Sequence, residues 1–155
     1  MPSVDVRRAG AEDAEVVGRL LSDFNAEFDT PSPSAGELAG RFRRLLQRDD
    51  VVVLLSGEPG DPTGFAFLTL RPTPYHDGPL AQLEELYVVP SLRGRGVGTA
   101  LLQKALEVVV AHRAGEMHIN VDEVDTDTRR FYERHGFVNV EPGADYRMLC
   151  YVREL

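Results

Sequence analysis

Three glycines, Gly94, Gly96 and Gly98, alternate with Arg95 and Val97 immediately after Arg93, and Thr99 follows them. Without a Cβ, glycine lets main-chain N–H groups approach a ligand and adopts positive φ without penalty. An apolar pattern at helical spacing begins directly afterwards with Leu101, Leu102, Ala105, Leu106 and Val109. The first N–H groups of such a helix lack intrahelical partners and carry the positive end of its dipole. Together with two arginines they form a cradle suited to a phosphate. A tight turn with glycines placed only for packing would need neither arginine. A P-loop would require a lysine after the glycines, and none is present. A dinucleotide fingerprint needs G-x-G-x-x-G, and here the third glycine comes one place early.

The elements that must position this turn can be read from periodicity. Val4 to Arg8 alternates as a strand, and Val16, Val17, Leu20, Leu21, Phe24 and Phe28 predict a helix over 12–28. Ser34 and Glu37 have capping-box spacing ahead of a second helix with Leu38, Phe42, Leu45 and Leu46 on its apolar stripe. Val51–Leu55 and Phe65–Leu70 read as strands joined by a turn over 56–64. A loop over 72–80 leads to a fourth strand over 82–89, ending at Pro90. After the glycine turn and its helix come a strand over 117–121 and a short helix capped by Asp125 and stopped at Gly136. Two further strands are expected over 137–140 and 147–152, with Cys150 a small buried residue in the second. This order predicts an α+β, or mixed α/β, fold in one domain over 1–155.

Arg93-x-x-Gly96-x-Gly98 resembles the acetyl-CoA signature of the GNAT superfamily of N-acetyltransferases. The preceding Leu83-Glu84-Glu85-Leu86-Tyr87-Val88-Val89-Pro90 and the later Phe131-Tyr132-Glu133-Arg134-His135-Gly136-Phe137 also resemble that family, so the resemblance spans nearly the whole chain. It implies a central, mostly antiparallel twisted sheet of about six or seven strands, with the fourth and fifth splayed and about four flanking helices. It further implies acetyl-CoA as co-substrate. Main-chain groups of Leu86, Tyr87, Val88 and Val89 would line its pantetheine arm. Those of Arg93, Gly94, Arg95, Gly96, Val97, Gly98 and Thr99 would hold its pyrophosphate.

The implied reaction is direct attack of a primary amine on a thioester within a ternary complex. An aliphatic amine is mostly protonated at neutral pH, with a pKa near ~10. A carboxylate can take its proton, directly or through water. Glu84 and Glu85 are the candidates, and Glu84 is favoured because some small-amine acetyltransferases have a glutamate at a similar position. Neighbouring strand residues face opposite ways, so only one can enter the site unless a bulge intervenes. Tyr132 matches the family tyrosine that protonates the departing thiolate. The family often has asparagine and alanine where this chain has Asp125 and Thr128.

Composition narrows the partners. A net charge of −8, from 17 basic and 25 acidic residues, disfavours nucleic acid and suits a small cationic amine. Asp23, Glu27, Asp29 and Asp77 lie in the regions expected to choose that substrate, and each serves equally well as a solvated surface group. The four histidines have no metal-ligand spacing, so no metal is expected. No run is long enough to span a membrane, no secretory leader is evident, and the lone cysteine excludes an internal disulfide, which fits a cytoplasmic protein. Similar proteins often form homodimers. A protein N-terminal or lysine acetyltransferase, and a non-catalytic acetyl-CoA sensor, remain as alternative readings.

Overall fold

A computed structural model describes residues 3–155. In chain order it contains β1 (Val6–Arg8), α1 (Ala14–Glu27), α2 (Ala35–Leu45), β2 (Val51–Glu58), β3 (Asp61–Arg71), β4 (Leu80–Val88), α3 (Val97–Ala111), β5 (Glu116–Ile119) and α4 (Thr126–Arg134). The five strands form one sheet in sequential order; β1 to β4 pair antiparallel, and β5 runs beside and parallel to β4 after the α3 crossover. The α+β class agrees with the sequence. The chain divides into two compact units, one up to His118 and one from Ile119.

β2 explains why its sequence is a continuous apolar run. Residues 51–56 are all buried, so both faces of the strand are covered. Val51, Val53 and Leu55 join Phe65 and Tyr87 in a core with Val17, Leu20 and Leu21 of α1 and Leu38 and Phe42 of α2. Val52 and Leu54 point to the opposite face by strand alternation. α3 packs against β2, β3 and β4 and supplies the buried Leu101, Leu102 and Ala105. Each fully buried aliphatic side chain contributes roughly 1.5–3 kcal/mol relative to exposure.

Local signals set the helix ends. Ser34 Oγ accepts from the Glu37 N–H at 3.1 Å, and the Ser34 N–H donates back to Glu37 Oε2 at 3.2 Å, completing the expected capping box. α1 starts later than expected, because residues 11–13 form a tighter 3-10 turn. There Asp13 accepts two bonds from Arg7, at 2.9 and 2.8 Å, and one from the Gly10 N–H at 2.9 Å. The arginine bonds are the main cause holding the Asp13 carboxyl below its usual range. The hairpin between β2 and β3 is tighter than the predicted turn over 56–64. Both strands continue to Glu58 and Asp61, and Ser56 and Thr63 hydroxyls bond at 2.8 Å across the pair.

The second unit departs most from expectation. Neither 137–140 nor 147–152 forms a strand, so among the described residues the sheet has five strands, not the six or seven expected. Among the bonds found there, the Met148 N–H reaches Asn139 O at 2.7 Å, and Arg147 pairs with Glu123. Val138, Leu149, Tyr151 and Val152 remain exposed, so their alternation buries no face and sustains no ladder. Cys150 is likewise exposed, not buried. Asp125 stands at the N-cap of α4 but makes no side-chain capping bond, and Gly136 takes φ 89° just past its end.

Close approach of α1 and α2 depends on Gly18, where an added Cβ would lie 2.7 Å from Ala39 N. Gly18→Ala gains helix propensity yet forces the helices apart, and a net loss of about 1–2 kcal/mol is expected. A lowered urea midpoint with unchanged m-value would show this; an unchanged midpoint would mean the pair can yield.

Candidate active site

β4 carries one residue more than β3 can pair. Phe67 opposes Glu85, but Leu68 opposes Leu83, leaving Glu84 as the extra residue of a β-bulge. The bulge alters the expected alternation. Glu85 lies opposite Phe67, which packs edge-on against Phe42 of α2 at 5.4 Å, so Glu85 faces the α1–α2 side. Glu84 reaches the same side, because its Oε1 accepts from the Thr69 hydroxyl at 2.7 Å. Thr69 is two residues from Phe67 on β3 and shares its face.

The two carboxylates differ in environment. Glu84 is exposed and bonded, whereas Glu85 is half-buried. Burial, and secondarily the charge of Glu84, pushes the Glu85 carboxyl up to about 7. It therefore exchanges protons near neutrality, where a general base is most effective.

Downstream, Leu86 and Val88 pair with Ala66 and Gly64, and Tyr87 is buried opposite Phe65. Tyr87 stacks on Phe24 of α1 with ring centroids 5.0 Å apart. Its phenol is pushed up, chiefly by burial and then by the charges of Glu27 and Asp23. The Val89 N–H closes β4 by donating to Thr63 O at 2.9 Å.

The chain then makes a single 3-10 turn over Pro90–Leu92 and enters the glycine segment. Gly94 and Gly96 take φ of 74° and 84°, a left-handed conformation that explains the residue type at both positions. An added Cβ at either would meet nothing within 4 Å, so both face open space. Gly96 is the N-cap of α3, no side chain caps this end, and its first turn contains no acidic residue. The N–H groups of Val97, Gly98 and Thr99 thus stand at an uncapped helix N-terminus able to receive an anion. Val97 turns its side chain into the core.

The two arginines differ. Arg95 is exposed and makes no ion pair among the described residues. Arg93 donates through Nε to Val88 O at 3.0 Å and through Nη2 to Glu27 Oε2 at 2.7 Å, while its own N–H goes to Pro90 O at 3.3 Å. The loop over 72–79 borders an open cleft of about 380 Å³ with Asp49 and Asp50, beside the end of β3 and the start of β4.

Tyr132 lies in the second unit, buried in α4 between edge-on contacts to Phe131 at 5.2 Å and Phe137 at 5.5 Å. Sequence reasoning missed Thr69 altogether. Nothing along β3 marks it, but the adjacent polar pair Glu84-Glu85, which interrupts the alternation of β4, is the trace a bulge leaves in sequence.

Residues 17–137 match the model of the acetyltransferase (GNAT) family. The chain belongs to that family. It is 49% identical to a protein of Arthrobacter sp. FB24 whose crystal structure describes it as a candidate acetyltransferase; the match covers 100% of this chain and 99% of that one, with a TM-score of 0.92. It is 26% identical over 143 residues to an uncharacterised N-acetyltransferase of Archaeoglobus fulgidus, covering 91% of this chain and 97% of the relative. It is also 29% identical over 142 residues to the aminoalkylphosphonate N-acetyltransferase of Salmonella typhimurium, covering 88% and 86%. This GNAT chain is accordingly an acetyltransferase, and its family uses acetyl-CoA as co-substrate. Among the described residues, no helix of this GNAT protein is long and apolar enough to cross a membrane.

Gly96→Glu would place a carboxylate in the open space before α3 and is expected to weaken acetyl-CoA binding by ~100-fold or more. Calorimetry checks this, with circular dichroism confirming that the variant is folded. Wild-type affinity in a folded variant would remove the turn from the site.

Proposed function

We propose that this protein transfers the acetyl group of acetyl-CoA to a primary amine of a small cationic molecule, with Glu85 as general base. The observation carrying this reading is the β4 bulge, which brings a desolvated carboxyl and its charged neighbour to one side of the sheet, upstream of the glycine turn. Glu85 is three residues before Val88, about 10 Å along the strand.

The turn suits the donor on its own geometry: two left-handed glycines facing open space, an uncapped helix N-terminus, and the exposed Arg95. N–H groups from Gly94 to Thr99 would hold the pyrophosphate, and main-chain groups from Leu86 to Val89 would align the pantetheine arm. A main-chain N–H on this stretch would polarise the carbonyl under attack. When bound, acetyl-CoA supplies an acetyl carbon activated as a thioester.

Glu85, deprotonated, accepts a proton from the ammonium, directly or through one water, and frees the nitrogen lone pair. The C–N bond then forms as the C–S bond breaks, and the acylated nitrogen gives up its surplus proton to water to become the amide. The family resemblance assigns Tyr132 the proton that the departing sulfur takes up. Glu84, tied to Thr69, keeps a negative charge beside Glu85 and favours return of the proton to it. The acidic balance of the chain and Asp23 on α1 favour a cationic acceptor. The N-acetyltransferase of similar length from Salmonella typhimurium, which by its name acts on an aminoalkylphosphonate, supports a small amine over a protein.

The deciding experiment is thiol release from excess acetyl-CoA against a panel of aminoalkylphosphonates, amino sugars, aminoglycosides, polyamines and lysine peptides. Turnover confined to small amines is expected. Turnover of peptides alone, or binding with no turnover, would favour the protein-acetylating or sensor reading.

With a responsive amine, the wild-type kcat/KM should rise with pH through about 7 as Glu85 loses its proton. Glu85→Gln should remove that limb and lower kcat ~100-fold or more. A limb that persists in Glu85→Gln and disappears in Glu84→Gln would transfer the role to Glu84. Tyr132→Phe should lower kcat ~10–100-fold with acetyl-CoA affinity unchanged; unaltered turnover would end its assignment as proton donor.

A further inference from the structure

We infer that Arg93 is a positioning residue, which fastens the end of α1 to the end of β4 and so sets the acceptor side of the site against the donor turn. This rests on the proposed function for which side binds the amine. Its physical basis is independent of that reading.

Arg93 lies in the signature segment, where a phosphate ligand is expected, yet its Nε and Nη2 are engaged elsewhere. Nη2 bonds Glu27 Oε2 at 2.7 Å, Nε bonds Val88 O at 3.0 Å, and the guanidinium carbon lies 5.7 Å from the centre of the Tyr87 ring. The main-chain N–H is engaged with Pro90 O. One planar fork thus bonds the last residue of α1 and the last residue of β4 together, a task that a lysine's single nitrogen performs poorly. Tyr87, beneath the guanidinium carbon, stacks in turn on Phe24 of α1.

Glu27 shows why the contact is needed. A carboxylate at a helix C-terminus faces the negative end of the dipole, and cations are favoured there. The last turn of α1 has no basic residue. Arg93, 66 residues away in sequence, supplies the missing cation. Glu27 is therefore placed to hold Arg93, and Arg93 to hold α1. Arg95, exposed and without an ion pair among the described residues, is the arginine left to the phosphates.

The test compares Arg93→Ala, Glu27→Gln and the double variant by hydrogen–deuterium exchange without ligand and by acetyl-CoA calorimetry. Each single change should speed exchange over residues 21–28 about tenfold, and the double variant should be no faster than either. Any change in the Kd for acetyl-CoA should agree within about twofold between Arg93→Ala and Glu27→Gln. Arg93→Lys should recover part of the protection, because it can meet Glu27 but not Val88 O simultaneously. With an amine from the panel, KM for that amine should rise more than kcat falls. Unchanged exchange in both single variants would overturn the inference. So would a tenfold weaker Kd for acetyl-CoA in Arg93→Ala that Glu27→Gln does not share. Exchange needs no substrate, so if no amine turns over, the proposed function fails while this inference is still decided.

Discussion

One unpaired residue in β4, Glu84, decides which face of the sheet carries both glutamates. Without the bulge at Glu84, strict alternation would send one of the two glutamates through the sheet towards α3, where Leu83, Leu101 and Leu102 leave no room for a charge. The bulge keeps both on the α1–α2 side, and Thr69 bonds the one it displaces. The consequence is electrostatic. Burial, and then the charge of Glu84 beside it, keeps the Glu85 carboxyl protonated to near neutral pH. Packing of Leu83 and Tyr87 on either side of the bulge fixes this relation, since both are buried on opposite faces.

The turn proposed to hold the donor rests on a different principle. Its charge complementarity comes from the main chain: an uncapped α3, two glycines in left-handed conformations and no acidic side chain in the first turn. Leu101, Leu102 and Ala105 anchor α3 in the core behind it, so the N–H groups are presented by a rigid element. Arg93 joins the two, because one side chain meets both the end of β4 that leads to the turn and the end of α1.

Much of this was legible in the sequence because it depends on local chemistry. The glycine triplet, the capping box at Ser34 and Glu37, and the stop at Gly136 are rules about a few consecutive residues, and each appears at the expected place. The bulge was legible only as a condition, since pairing register depends on both strands. The direction of Arg93 was not legible, because its partner Glu27 lies in a distant helix and a signature arginine carries no mark of where its fork points. The terminal strands failed for a related reason. Alternation in 137–140 and 147–152 reports a capacity to pair, and pairing needs a neighbour that sequence pattern does not name.

A recognition surface made of main chain also has a consequence for divergence. Replacing Arg95 or Thr99 changes what projects from the turn, while the N–H groups and the helix behind them persist. The acceptor face proposed above is instead made of side chains, among them Asp23, Phe24, Thr69 and Glu85, each replaceable by a single codon change. On the proposed function, side-chain substitutions therefore weigh unevenly on the two halves of the reaction: a donor cradle of main-chain groups tolerates them, and the choice of amine changes with them.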